Sequence, residues 1–314
     1  MIKKELKKAE RKRLLKRVGN RWQLYLLLLL PILYIVIFSY VPMGGLVIAF
    51  KDYNFKDGIF GSPWAGLENF KKFMTSYKFS TVMINTLTVS LYGLLVAFPF
   101  PIIFALGLNA MRGTGYKKII QSVTYMPHFI STVVMVGILF QVLNNRTGLW
   151  GTLYSMITGG IAPNILGNAE AFRHTYVWSG VWQNTGYDAI IYIAALASVD
   201  QSLYEAAEID GASRFQRIIH IDLPSILPTA SILLILSAGS IMNVGFEKVF
   251  LMQNNLNIKY SEVISTYVYK IGLASGTNDF SLSTAIDMFN SVINFTLLMI
   301  TNWLSKKLSG NGIF

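Results

Sequence analysis

Six stretches of the chain stay apolar long enough to matter, at about 23–43, 81–110, 119–143, 176–199, 226–247 and 281–304. A helix needs about 20 mostly apolar residues to cross a hydrocarbon core of about 30 Å, so the pattern predicts an all-α, polytopic membrane protein with six transmembrane helices. Apart from a terminal residue, formal charge enters these stretches only at Asp188 and Asp287. The second stretch is long and holds Pro99 and Pro101, which predicts a kinked or tilted helix. Three connections, at about 44–80, 144–175 and 253–280, are long for turns and rich in Gly, Asn and aromatic residues. Within the first, WAGLENFKKFMTSYKF (64–79) spaces Leu67, Phe70, Phe73, Met74 and Tyr77 at helical period with lysines between them. That spacing predicts a helix lying flat on the outer membrane interface, the plainer alternative being a tether that only positions the first two spans.

Composition agrees with this class: 53% of residues are hydrophobic and only 14% charged, where soluble domains carry about a quarter charged. The chain has no cysteine, which excludes a disulfide framework and thiolate chemistry. His128, His174 and His220 lie far apart and outside any metal-binding spacing, so neither a metal site nor a cluster of catalytic groups is expected.

The net charge of +11 is concentrated at the beginning, where residues 1–21 hold ten Lys or Arg against two Glu. An arm running straight into WQLYLLLLLPILYIVIFSYV suits an anionic inner leaflet, at about 1 kcal/mol per basic residue, better than nucleic acid. The following PMGGLVIAF has no A-x-A-like cleavage site, so the first apolar run reads as a retained span rather than a signal peptide. The division expected is a basic arm at 1–21 and a six-span domain at 22–314. Lys and Arg in the arm, in MRGTGYKK (111–118), at Arg214 and Arg217, and at Lys306 and Lys307 fall on one side of the membrane. By the positive-inside rule that side is the cytoplasm, with both termini inside. The 51–80 loop, with five lysines against three acids, counts the other way.

One segment breaks the apolar pattern: YEAAEIDGASRFQRIIHIDLP, residues 204–224. Ser202 and Glu205 have capping-box spacing, so a helix is expected to start near Ser202. Ala206 and Ala207 continue it with little volume, and Asp210–Gly211 suits a helix end. Pro224 and Pro228 are expected to close the insert before the fifth span. Small residues let another protein approach the backbone closely, while Glu205 and Asp210 offer fixed charges. On composition alone, an ordinary helical connection between two spans remains the alternative.

Glu205-Ala206-Ala207, three residues, Gly211, nine residues, then Ile221-x-Leu223-Pro224 resembles the EAA signature of bacterial ATP-binding-cassette importer permeases. The wider sequence, from WQLYLLLLLPILYIVIFSYVPMGGLVIAFKDYN to SEVISTYVYKIGL and KKLSGNGIF, is similar to the carbohydrate subgroup that handles complex oligosaccharides. This resemblance covers nearly the whole chain. It implies a type I importer permease fold in a bacterial plasma membrane, with the insert as a coupling helix whose Glu205, Ala206, Ala207, Asp210 and Gly211 contact a cytoplasmic ATPase. It also implies a second homologous permease, a pair of ATPase subunits holding ATP and Mg, an extracellular solute-binding protein and an oligosaccharide substrate. The chain lacks a G-x-x-x-x-G-K-[ST] loop. No cofactor of its own is therefore expected, and the energy must come from the partner.

An ionisable group inside a span costs about 2.5–3.5 kcal/mol on insertion scales, which marks Asp188 as functional by default. In WSGVWQNTGYDAIIY, residues Gln183, Asn184, Tyr187 and Asp188 are expected on one face, with Trp178 and Trp182 nearby. Aromatic planes beside amide and carboxylate groups suit a sugar. Ser237, Ser240 and Asn243 recur at threes on the fifth span and suit an opposite wall. The competing reading is plain: such polar groups often only bond neighbouring helices, at about 0.6 kcal/mol each. A self-contained secondary transporter would need coupling-ion ligands and two matching halves, and a membrane enzyme would need catalytic groups at one depth. Neither pattern is visible.

Overall fold

The computed structural model describes residues 21–111, 113–274, 276 and 278–309. Residues 1–20 of the basic arm at 1–21 lie outside the described residues. The main helical elements begin with α1 Trp22–Phe50, α2 Glu68–Met74, α3 Phe79–Ala110, α4 Thr114–Phe129, α5 Thr132–Val142 and α6 Leu149–Thr158. There follow α7 Ala169–Ala197, α8 Gln201–Ile209, α9 Arg214–Gly239, α10 Phe246–Met252, α11 Ile264–Tyr269 and α12 Phe280–Ser309. No strand occurs among the described residues; Lys51 and Trp64 form an isolated antiparallel bridge.

All six apolar stretches are mainly helical, but they are not six uniform rods. Four helices, α1, α3, α9 and α12, are long and apolar enough to cross a membrane. The third expected span is α4 and α5, bent by 101° at Ile130–Ser131. The fourth, α7, has 29 residues and is about 43 Å long, yet it falls outside the apolar set; it carries Glu170, Arg173 and Asp188, with Gln183 and Asn184 in its middle. A polar helix is tolerable at that depth only when protein shelters it. Helices α3, α4 and α9 all lie against α7. Pro99 and Pro101 interrupt the hydrogen-bond ladder of α3, but Phe98 keeps helical torsions (φ −67°, ψ −42°), so the run continues to Ala110.

One end of the bundle is tied by the three long connections. Lys72 pairs with Asp279 at 2.9 Å, Lys78 and Lys270 both reach Glu262, and Asn254 Nδ2 donates to the Leu166 carbonyl at 3.0 Å. The short α2 helix contributes by burying Phe73 against Phe79 and Phe289 while leaving Leu67 and Tyr77 exposed. It thus anchors the first connection to α12. At the opposite end lie Met111, Gly113 and the charged insert. Between them the core is apolar, for instance Ala105, Ala189, Tyr192, Leu196 and Ile226 packed where α3, α7 and α9 meet.

Candidate functional site

A cavity of about 800 Å³ opens between α3, α7, α9 and the non-helical segment that follows Gly239. Its lining includes Tyr176, Tyr187 and Asp188 from α7, Ser237 from α9, and Ser240 and Asn243 just beyond it. The sequence pattern puts all of these except Tyr176 on facing walls, and the fold brings them round one space. Asn243 is fixed there because its Oδ1 accepts from Asn290 Nδ2 at 3.2 Å and Asn294 Nδ2 at 2.9 Å. Asn294 Oδ1 in turn accepts from the Met242 backbone N–H at 2.9 Å. The helix of the fifth span ends at Gly239 rather than near 247, and this asparagine network satisfies the backbone where it unwinds.

Trp182, Gln183 and Asn184 do not line the cavity. Gln183 Nε2 donates to the Ile130 carbonyl at 2.9 Å, and Asn184 Oδ1 lies 2.9 Å from His128 Nδ1. The break between α4 and α5 removes the helical partner of a carbonyl at membrane depth, so a neighbouring side chain has to supply one. Trp182 is largely exposed, while Trp178 donates from Nε1 to Tyr92 Oη at 2.9 Å. Tyr187 belongs to both groups, since it lines the cavity and stacks on His128. Asp287 is exposed on α12, away from the cavity lining.

The charged insert folds from local signals. Asp200, not Ser202, caps α8: its Oδ1 accepts the Ser202 N–H at 3.0 Å, and that bond holds the Asp200 carboxyl below the usual carboxylate range. The capping box expected at Ser202 and Glu205 occurs instead one helix later, where Ser213 and Gln216 bond reciprocally at 3.3 and 2.7 Å. At the other end of α8, Gly211 has φ +72°, and the N–H groups of Ala212 and Gly211 donate to the carbonyls of Ala207 and Glu208. This is a Schellman ending, which needs a residue without Cβ strain. Pro224 and Pro228 do not close the insert. A π-turn at Ile218–Asp222 leads into Leu223–Gly239, and both prolines sit within that helical run.

Glu205, Ala206, Asp210 and Gly211 are exposed, and Ala207 is half-buried. Ile209 is 87% and Phe215 70% exposed beside them. Among the described residues, no bundle helix packs along α8. The structure therefore offers a rigid, capped rod with small residues, fixed charges and bare apolar side chains, joined by short turns to α7 and α9.

Residues 97–310 match the family described as binding-protein-dependent transport system inner membrane component. The chain belongs to this family. It is 43% identical over 295 residues to protein LplB of Bacillus subtilis (strain 168), covering 94% of this chain and 92% of that one. It is 42% identical over 308 residues to the polygalacturonan/rhamnogalacturonan transport system permease protein YteP of the same organism, covering 98% and 95%. Among solved structures it resembles a bacterial ABC transporter involved in import of the acidic polysaccharide alginate, with TM-score 0.86, 37% identity and coverage of 95% and 99%. A similar match, also with TM-score 0.86 and 37% identity, is a bacterial alginate ABC transporter in complex with an alginate pentasaccharide-bound periplasmic protein, covering 96% and 100%.

As an inner membrane component of this kind, the chain is a multi-pass membrane protein with the type I ABC permease fold. Several residues that organise this permease carry little signal in the sequence. His128 stands isolated there, yet in the fold it meets Asn184 and Tyr187. The pair Asn290 and Asn294, four apart on α12, has the helical spacing that could flag them. Lys248, whose Nζ donates to the Tyr176 carbonyl at 3.0 Å and sits 4.8 Å from the Tyr176 ring centroid, has no local signal.

Proposed function

We propose that this chain is one of two homologous permease subunits of an ATP-driven importer, and that it passes an oligosaccharide delivered by an extracellular solute-binding protein. In this reading α8 is gripped by a cytoplasmic ATPase subunit through Glu205, Ala206, Ala207, Asp210 and Gly211. The α8 end of the bundle faces the cytoplasm, both termini are inside, and the basic arm lies on the inner leaflet of a bacterial plasma membrane. ATP and Mg belong to the ATPase partner.

The carrying observation is the exposed rod. Large apolar side chains at Ile209 and Phe215, left bare beside fixed charges where no bundle helix runs alongside, form a surface for another protein. Because α8 is joined at its two ends to α7 and α9, a pull on it turns both as rigid bodies. Those helices are walls of the cavity, so their rotation opens it first to one side and then to the other. Tyr176 and Tyr187 offer ring faces to a sugar, and Asp188, Ser237, Ser240 and Asn243 offer partners for its hydroxyls. Relatives named for polygalacturonan and alginate support a saccharide cargo.

Proteoliposomes containing the purified complex test this reading. Uptake of a labelled oligosaccharide should require enclosed ATP and the external binding protein together. Uptake that persists without the ATPase subunit would refute it and favour a secondary transporter.

A further inference from the structure

Asp222 is a carboxylate with only 3% of its surface exposed. No ion pair among the described residues includes it. Its Oδ1 accepts from Tyr204 Oη at 2.5 Å and from Asn109 Nδ2 at 3.2 Å, and Asn109 Nδ2 also lies 3.4 Å from Tyr204 Oη. Each member of this triad stands on a different element. Asn109 is in the last turn of α3, Tyr204 is the fourth residue of α8, and Asp222 ends the π-turn within α9. Lys117 adds a further strand to the knot by donating to the Asn109 carbonyl at 3.3 Å. Arg214, Arg217 and Glu208 line the polar cleft of about 260 Å³ beside the triad, so two cations share the space with the buried carboxylate.

The location matters more than the bond strength. The covalent links from α8 to α7 and α9 are short turns, at Ser198–Asp200 and Asp210–Ser213, and one of them contains the left-handed Gly211. Turns bend under load. No covalent link joins α8 directly to α3, although α3 contributes Val89, Gly93 and Pro101 to the wall of the large cavity. The triad is the side-chain tie that spans this gap. Burial, reinforced by the hydrogen bond to Asp222, pushes the Tyr204 hydroxyl up to about 12, so it remains a donor throughout the physiological range.

We infer that Asp222 is a positioning residue: with Tyr204 and Asn109 it latches α8 to α3 and α9, so that force on α8 reaches both cavity walls instead of being lost in the turns. This rests on the proposed role of α8 as the ATPase contact. It goes further, in assigning transmission of the motion to three side chains outside that contact.

The test uses the complete reconstituted complex and reads sugar transported per ATP hydrolysed. Tyr204→Phe removes one hydroxyl and leaves the ring, so assembly with the ATPase should persist while the transport ratio falls about tenfold, the worth of one hydrogen bond to a charged group. Asp222→Ala should do the same. Asp222→Asn retains an acceptor oxygen and should restore the ratio to within about twofold of the parent. A merely structural role would lower the amount of complex without changing the ratio. A parental ratio in Tyr204→Phe overturns the latch, including the case in which Asp222→Ala fails to assemble. The chain has no native cysteine, so Glu205→Cys provides a clean cross-linking probe on α8. If the Glu205→Cys variant does not cross-link to the ATPase, the coupling reading falls and takes the latch with it. If it cross-links and Tyr204→Phe transports normally, only the latch falls.

Discussion

The imidazole of His128 lies flat on the ring of Tyr187, with centroids 3.7 Å apart and planes 3° from parallel. His128 stands in the last turn of α4, just before the chain makes its 101° bend, and Tyr187 stands on the central helix α7. The stack, the His128–Asn184 contact and the Gln183–Ile130 hydrogen bond therefore pin the bend to one turn of α7. His128→Ala should remove the first two together, a loss of about 1–3 kcal/mol. The purified complex should melt at a lower temperature in detergent, and His128→Phe should recover part of the loss through the ring alone. Identical melting of all three proteins would show that the bend is held by other means.

Within its own chain, Gly211 is required for its backbone and not for space. At φ +72° a Cβ would strain the chain by about 1–2 kcal/mol, but no atom lies within 4 Å of where it would sit. Asparagine tolerates this conformation and a β-branched residue does not. Gly211→Asn should therefore retain more uptake than Gly211→Val. An uptake assay in which the two behave alike would mean that the Schellman ending has no part in holding the end of α8.

How much of this is legible in the sequence depends on the range of the signal. The insert can be read because helix ends are encoded within a few residues: Asp210–Gly211 marks the end of α8 correctly, and the start is displaced only from Ser202 to an N-cap at Asp200. Pro224 and Pro228 mislead because a π-turn absorbs what proline removes from the ladder, and nothing local announces that turn. The candidate pathway is half legible. Helical spacing groups Gln183 and Asn184 with Tyr187 and Asp188, but spacing does not say which neighbour a face will meet. An open carbonyl at Ile130 claims the first of these, and only the fold reveals it. Asp222 carries no local signal, since a single acid in a charged insert looks solvated until Asn109, more than a hundred residues earlier, is placed beside it.

The division of the polar and aromatic candidates gives a prediction of its own. Asp188→Ala and Asn243→Ala alter the cavity lining, so each should lower oligosaccharide uptake about tenfold, the worth of one good polar contact; Asp188→Ala should do so with little change in yield, whereas Asn243→Ala also strips the acceptor from Asn290 and Asn294. Gln183→Ala instead leaves the Ile130 carbonyl without its donor. That change should cost about 1–2 kcal/mol of stability and appear in yield and melting temperature before it appears in uptake by the surviving complex. Measuring both quantities for all three variants checks the division; a shared profile would erase it.

At the opposite end of the bundle, Glu262 is nearly enclosed and is held between Lys78 and Lys270. The hydrogen bond to Glu262 is the main reason that the Lys78 ammonium is raised above its ordinary value of 10.5, with burial working against it. A group whose folded value is raised contributes stability that is complete below its unfolded value and is lost as pH climbs through the folded one. The stabilisation from Lys78 should thus be flat from about pH 6 to 9 and decline only above about 10.5. Glu262→Gln removes the charge that Lys78 and Lys270 share. Both lysines keep about a third of their side-chain surface in contact with solvent, so screening limits the loss to about 1–3 kcal/mol. The gap in melting temperature between parent and Glu262→Gln should accordingly stay constant across about pH 6–9 and narrow beyond about 10.5. A gap that changes steadily between about pH 6 and 9 would assign the stabilisation to some group other than Lys78.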